Sequence, residues 1–163
     1  MAEARWLDEE EQRTWRMFLV SSRLLLDRLE RDLKQGSRLS FSDYEILALL
    51  SEAPDRSIRM VDLAGRCAFD RSRLSHAVDR LVRDGWVRRV PSPTDGRGQY
   101  AQLTDEGFAR LAEAAPGHVA SVRELLIDRL TPAQRAALRE ISEVLVTGVV
   151  AESKLASLGW PES

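Results

Sequence analysis

Apolar and polar positions follow the three-and-four spacing of α-helices over most of this chain. The first segment runs from about residue 7 to residue 35. Its broad apolar stripe comprises Trp15, Phe18, Leu19, Ser22, Leu25, Leu26 and Leu29. Gly36 follows, and we expect the helix to end there. The stripe is longer than a small domain needs, so we expect part of it to pack against a second subunit; an ordinary core helix is the alternative.

A second helix is predicted from Ser42. Ser42 and Glu45 fit a capping box, in which each side chain accepts a hydrogen bond from the other residue's backbone N–H. Pro54 is expected to stop this helix, because proline lacks a backbone donor. Residues 57–60 then predict one short strand that pairs with a later hairpin.

Two helices joined by a short turn are predicted next. Residues 61–67 form the first, with Cys67 on its inward face, where a buried structural thiol is the favoured interpretation. Asp70 caps the second, and Gly85 ends it. The buried face of this second helix is predicted to comprise Leu74, Val78, Leu81 and Val82.

The pattern changes from helical to extended after Gly85. Residues 86–90 and 99–103 predict two strands, joined by the proline- and glycine-rich segment 91–98. Arg88 and Arg89 lie on the first strand, and strand alternation directs at most one of them towards a phosphate. A helix-turn-helix followed by such a hairpin is typical of a winged helix-turn-helix.

Helical spacing returns after the hairpin. Thr104 is predicted to cap the next helix, and Pro116 to kink or break it. Thr131, Pro132 and Gln134 mark the start of a last helix, as cap, first helical residue and capping-box partner.

Charge is distributed unevenly along the chain, although the net charge is only −2. Residues 57–98 contain nine arginines and five aspartates, a surplus of four positive charges, which leaves the remainder at −6. A local basic region is what attracts the phosphates of DNA. The chain has 163 residues, one cysteine and no apolar run near the roughly 18 residues of a membrane span. With its acidic first eleven residues, it is expected to be cytoplasmic and to make no membrane contact.

The run from Asp70 to Gly107 resembles the MarR-type winged helix-turn-helix transcriptional regulators. Asp95-Gly96-Arg97, followed by Leu103-Thr104 and Gly107, looks like the wing signature of that family. The resemblance implies a mainly α fold with a small β wing, flanked by N- and C-terminal dimerisation helices. It also implies that Arg97 contacts DNA and that Asp95 supports it.

Candidate DNA contacts on the second helix follow from a rotation of about 100° per residue. With the apolar face buried, the outward side chains are those of Ser72, Arg73, His76, Asp79, Arg80 and Arg83, with Ser75 at the edge. The candidate DNA contacts among them are Ser72, Arg73, Ser75, His76 and Arg80. An arginine here can bind guanine through two hydrogen bonds in the major groove. In the hairpin, Arg97 can enter the minor groove while Asp95 holds it by a charge-assisted hydrogen bond. A solvated helix face and an ordinary surface turn are the alternatives.

Three aromatic residues, Trp15, Tyr44 and Trp86, are candidates for lining a small-molecule pocket. The resemblance implies such a pocket between the dimerisation helices and the DNA-binding lobe. Core packing is the other interpretation.

No catalytic or metal-binding pattern stands out. His76 and His118 are far apart and lack a cluster at metal-ligand spacing, so we expect neither a metal nor another cofactor. Ser75 and His76 do not share a helix face, which argues against a nucleophile–base pair. We therefore predict that the chain is not an enzyme.

These patterns predict one domain over residues 1–163, with a winged helix-turn-helix DNA-binding lobe at 39–110. Residues 7–37 and 111–158 would form a helical dimerisation region. As the resemblance to the MarR-type regulators implies, the protein would regulate transcription, more often as a repressor that a small-molecule effector releases. It would bind, as a homodimer, a pseudo-palindromic operator in double-stranded DNA. The alternative is a helical protein-interaction module that uses the winged helix as a docking surface, without specific DNA binding.

Overall fold

The computed structural model describes residues 4–91 and 98–149. Within them the helices are α1 (Glu9–Ser37), α2 (Phe41–Glu52), α3 (Met60–Arg66), α4 (Arg71–Arg83), α5 (Asp105–Leu125) and α6 (Pro132–Val149). The strands are β1 (Ser57–Arg59), β2 (Val87–Pro91) and β3 (Gln99–Leu103). The predicted fold class, mainly α with a small β hairpin, is confirmed. Among these residues no helix combines the length and apolar character needed to cross a membrane.

The three strands form one antiparallel sheet in the order β1-β3-β2. Ile58 pairs with Ala101, and Val87 pairs with Leu103, so β3 lies in the centre. The predicted short strand and the predicted hairpin are therefore both present. The last register pair of the two strands is that of Pro91 and Gln99.

The main core lies between α2, α3, α4 and one face of the sheet. Its fully buried side chains include Leu39, Ile46, Leu47, Leu50, Leu63, Leu74, Val78, Leu81 and Val87. On α4 the inward face differs from the prediction at one position, because Val82 is 37% exposed and Ala77 is buried instead. Val82 follows Leu81 by about 100° of helical rotation, which carries it away from the core.

The end of α1 differs from the sequence-based expectation. Gly36 lies within the helix, and the chain leaves it at Arg38, which adopts the left-handed conformation with φ 58°. At the other end, Asp8 and Glu11 form a capping box that the sequence analysis did not identify.

The start of α2 is also corrected. Ser40, not Ser42, is the N-cap, and its hydroxyl accepts a hydrogen bond from the Asp43 N–H at 3.1 Å. A second acceptor comes from α1, where the Glu30 carboxylate binds the Phe41 N–H at 2.5 Å. Since this partner lies on another helix, no local motif could have predicted it.

Helix α5 continues through Pro116 without the predicted break. A proline inside a helix removes one backbone donor, and here the packing of α5 along α1 and α2 outweighs that loss. The start of α6 agrees with the prediction, because Thr131 and Gln134 form the expected reciprocal capping box at 2.9 and 3.2 Å.

Apolar side chains remain exposed on two helices. On α1 they include Trp15, Phe18, Leu24 and Leu26, which are between 47% and 62% exposed. On α6 they include Leu138, Ile141, Val144 and Leu145, and no residue of this helix is buried. Within the described part of the chain, these two faces therefore lack a packing partner.

Candidate nucleic-acid interface

The turn between α3 and α4 fixes the geometry of a helix-turn-helix. Ala68 adopts a positive φ of 52°, and the Phe69 N–H donates to the Ala64 carbonyl oxygen at 2.9 Å. Asp70 then caps α4 as predicted, its carboxylate accepting from the Arg73 N–H at 2.8 Å. The direction of α4 at the turn is therefore set by one backbone hydrogen bond and by the Asp70 cap.

Three of the five predicted contact residues on α4 are exposed and make no side-chain hydrogen bond or ion pair within the described residues. These are Ser72, Arg73 and His76. The guanidinium carbon of Arg73 lies 3.9 Å from the centroid of the Phe69 ring, a cation–π contact that supports the side chain without covering it. Within the described residues, Ser72 and His76 make no side-chain hydrogen bond or ion pair, so both remain available to a ligand.

The other two predicted contacts on α4 are engaged within the protein. Ser75 is half-buried, and its hydroxyl accepts a hydrogen bond from Arg89 at 3.0 Å. Arg80 forms an ion pair with Asp43 of α2 at 2.9 Å. To reach DNA, Arg80 would have to leave Asp43.

Arg89 is a residue whose role the sequence analysis did not identify. Its guanidinium donates to Ser75 and Asp79 on α4 and to Gln99 on β3. Arg88, its neighbour on β2, points the other way and donates to Gln102 at 2.9 Å. The alternation of the strand predicts that the two arginines diverge, but not which partners each one finds.

The described part of the wing signature joins the hairpin to α5. The Thr104 hydroxyl donates to the Gly85 carbonyl at 2.8 Å and accepts from the Gly107 N–H at 3.0 Å. The Thr104 N–H donates to the Trp86 carbonyl at 3.0 Å. A Cβ atom at Gly107 would collide with that same carbonyl, so the glycine allows a close backbone approach.

The other signature residues, Asp95, Gly96 and Arg97, lie outside the described residues. Their assigned roles, a minor-groove contact by Arg97 and its support by Asp95, stay predictions.

The three aromatic residues proposed for a pocket lie in three different environments. Trp15 is 51% exposed on α1 and stacks with Phe18 at a centroid distance of 6.3 Å. Tyr44 is half-buried on α2, with its ring centroid 4.2 Å from that of His118 on α5. Trp86 is half-buried beside Arg110.

Burial shifts the pKa values of Cys67, Glu45 and His118. Cys67 is 5% exposed, and burial raises the pKa of its thiol to about 12, as expected for a structural cysteine. Burial also raises the pKa of Glu45, while the positive charge of Arg73 opposes that rise. Glu45 does not form the capping box with Ser42 that the sequence predicted, because Ser40 caps α2. On α5, burial lowers the pKa of His118.

Among the described residues, no group of three or more His, Cys, Asp or Glu side chains is arranged to hold a metal ion.

Comparisons with known proteins agree on one family. The MarR family model matches residues 39–98. The regulator PecS of Dickeya dadantii is 35% identical over 105 residues, 63% of this chain and 63% of that protein. The repressor YetL of Bacillus subtilis is 34% identical over 91 residues, 56% of this chain and 54% of that protein. The chain thus spans between about half and two thirds of these curated relatives.

Solved structures match over a greater length. Sco3205, a MarR family regulator from Streptomyces coelicolor solved in complex with DNA, is 46% identical, with a TM-score of 0.89. The match covers 91% of this chain and 94% of that one. AbsC, from the same organism and of the same family, is 42% identical with a TM-score of 0.80, covering 87% and 98%.

Proposed function

The chain belongs to the MarR family of transcriptional regulators, and on that premise we propose that it regulates transcription by binding specific DNA sequences. The observation that carries the proposal is the solvent-facing, arginine-bearing surface of α4. The chain that presents it has 46% sequence identity to a regulator solved in complex with DNA. Family membership also confirms the prediction that the chain is not an enzyme.

The proposed base contacts are the exposed polar residues of α4. Ser72, Arg73 and His76 enter the major groove, where hydroxyl, guanidinium and imidazole groups meet base edges. Arg97 enters the adjacent minor groove, whose negative potential favours a guanidinium, and Asp95 holds it there. Ser75 and Arg80 were predicted as further contacts, but their bonds to Arg89 and Asp43 favour roles in holding α4.

The protein acts as a homodimer in this proposal. The unpartnered apolar faces of α1 and α6 support it, because an amphipathic helix gains most of its stability from packing. Residues 7–37 and 111–158 form the dimerisation region, and 39–110 the DNA-binding lobe. Two copies of α4 then reach successive major-groove faces, about 34–36 Å apart, on a pseudo-palindromic site.

The proposed regulator represses transcription, and a small-molecule effector releases it from its operator. The relative YetL is named a repressor. An effector acts only if it binds the dimer with wrongly spaced recognition helices better than the DNA-binding dimer. Trp15, Tyr44 and Trp86 remain the proposed lining of its pocket. Since the target is chromosomal DNA, a cytoplasmic location belongs to the same proposal.

A gel-shift experiment with the DNA flanking the protein's own gene tests this function. We expect a retarded complex that the same unlabelled duplex displaces and a scrambled duplex does not. Its affinity should fall about 10³-fold or more between 50 and 200 mM salt if six or more phosphates are contacted, because arginine–phosphate contacts release counterions.

The competing function is a protein-docking module that does not bind specific DNA. It predicts no sequence-specific complex and a flat response to salt. Either result would remove the case for a DNA-binding regulator.

A further inference from the structure

One guanidinium group, that of Arg89, joins the recognition helix α4 to the base of the wing. Its Nη2 donates to the Ser75 hydroxyl at 3.0 Å and to Asp79 Oδ1 at 2.8 Å, both on α4. Its Nη1 donates to Gln99 Oε1 at 2.9 Å, at the start of β3. Gln99 pairs in register with Pro91, so these contacts form where the two strands lead into segment 92–97.

The direction of the Arg89 side chain follows from the pleat of the sheet. Alternate residues on a strand face opposite sides, and Arg89 shares its side with the buried Val87. The Arg89 side chain therefore lies on the side of the sheet that faces the core, next to α4 and beyond the edge of the apolar core. Arg88 faces the other side, where Gln102 accepts its hydrogen bond.

The donors of this guanidinium are already used inside the protein. The Arg89 side chain is 25% exposed and bound to three side-chain acceptors on two elements. Its charge is offset by Asp79 at 2.8 Å, which weakens any attraction to a phosphate. A planar fork of donors suits this bridging task, whereas a lysine ammonium has no such geometry.

We propose that Arg89 is a positioning residue that fixes the angle between the recognition helix and the wing, with Asp79 and Ser75 as its partners on α4. The inference rests on the proposed DNA-binding function. A protein that enters two grooves at once needs its two inserting elements at a fixed relative position. Arg89 supplies that restraint without touching DNA.

The first test compares Arg89→Lys with Arg88→Lys, the same substitution on the opposite face of β2. The probes are a duplex that the wild-type protein selects from a random-sequence pool and a scrambled duplex of equal composition. In Arg89→Lys, the ratio of specific to non-specific affinity should fall about tenfold, the size of one lost base contact. The salt dependence should stay unchanged, because no phosphate contact is lost. Arg88→Lys should leave both quantities at wild-type values.

The second test is Asp79→Asn, for which charge and positioning predict opposite results. Removing a negative charge beside DNA should raise affinity for both duplexes if charge alone matters. If Asp79 holds Arg89, affinity for the selected duplex should fall while affinity for the scrambled duplex does not. Thermal unfolding of each variant confirms that it is folded.

Three results would overturn the inference. The first is an unchanged specificity ratio in Arg89→Lys. The second is a gain of affinity for the selected duplex in Asp79→Asn. The third is Arg89→Ala reducing the salt slope by about one phosphate contact, which would make Arg89 a DNA contact. A wild-type protein that selects no sequence at all would instead overturn the proposed function itself.

Discussion

At the scale of single residues, the close approach of the Trp86 carbonyl leaves no room for a side chain at position 107. Because a Cβ atom there would meet the Trp86 carbonyl, we expect Gly107→Ala to lower the free energy of unfolding by about 1–3 kcal/mol, as overpacking does. Gly117→Ala on the same helix is the matched control. No atom lies within 4 Å of its added Cβ, so it should raise stability by roughly 0.5–1 kcal/mol. Chemical denaturation measures both, and equal midpoints would contradict this account of Gly107.

The Cys67 thiol is expected to be unreactive in the folded protein. With its pKa raised to about 12, almost no thiolate exists at pH 8, so a disulfide reagent should react with it only after unfolding. Between about pH 9 and 12 the unfolded thiol ionises while the folded thiol does not. The free energy of unfolding should therefore fall as pH rises through this window. Cys67→Ala should remove this part of the pH dependence, and rapid labelling of the native protein at pH 8 would refute the assignment.

Contacts between residues close in sequence were predictable at Asp70 and Thr131, although the Asp8–Glu11 capping box was missed and the cap of α2 was placed two residues late. The Asp70 cap involves a residue three positions away, and the sequence pattern identifies it. The Glu30 acceptor at the start of α2 lies eleven residues from its donor, and its position depends on how two helices pack. The same reason hid the bond between Arg80 and Asp43, 37 residues apart, which only the tertiary fold creates.

At the scale of elements, the exposed apolar face of α6 allows a direct test of the proposed dimer. Ile141 and Val144 lie on one side of the helix and are 56% and 66% exposed. If this side forms the dimer interface, Ile141→Glu buries an uncompensated charge and should shift the protein to monomer at micromolar concentration. Arg139→Glu places a negative charge on the opposite side of the helix, about 140–160° of rotation from Ile141 and Val144, and should leave the dimer intact.

Light scattering coupled to gel filtration gives the mass of each variant. A wild-type protein with the mass of one chain would contradict the dimer, as would an Ile141→Glu variant that keeps the double mass.

Element types were easier to predict than element ends. Helical and strand periodicities repeat over many residues, so the order of helices and the hairpin emerged from the sequence. Ends depend on single contacts: α1 passes Gly36 and stops at Arg38, a residue with no intrinsic preference for positive φ. Likewise α5 keeps its helical course at Pro116 because it packs against α1.

At the scale of the whole molecule, the sequence predicted a DNA-binding surface but not how it is held. The charge surplus of residues 57–98 and the helix-hairpin order pointed to α4. Only the fold shows which side chains of its outer face are bound to Asp43 or Arg89 and which, among the described residues, make no side-chain hydrogen bond. Polar side chains look alike in a sequence, whether they face a ligand or a neighbouring strand.

The packing of α1 against α5 has a consequence for how the chain is made. Asp105, where α5 begins, lies 68 positions after the last residue of α1, Ser37. At about 5–20 residues per second, a ribosome needs several seconds to produce that interval. During this time α1 exists before its partner and has to be supported by local interactions. The capping box at its start provides them, together with the ion pairs Arg28–Asp32, Asp27–Arg31 and Glu30–Lys34, each four residues apart.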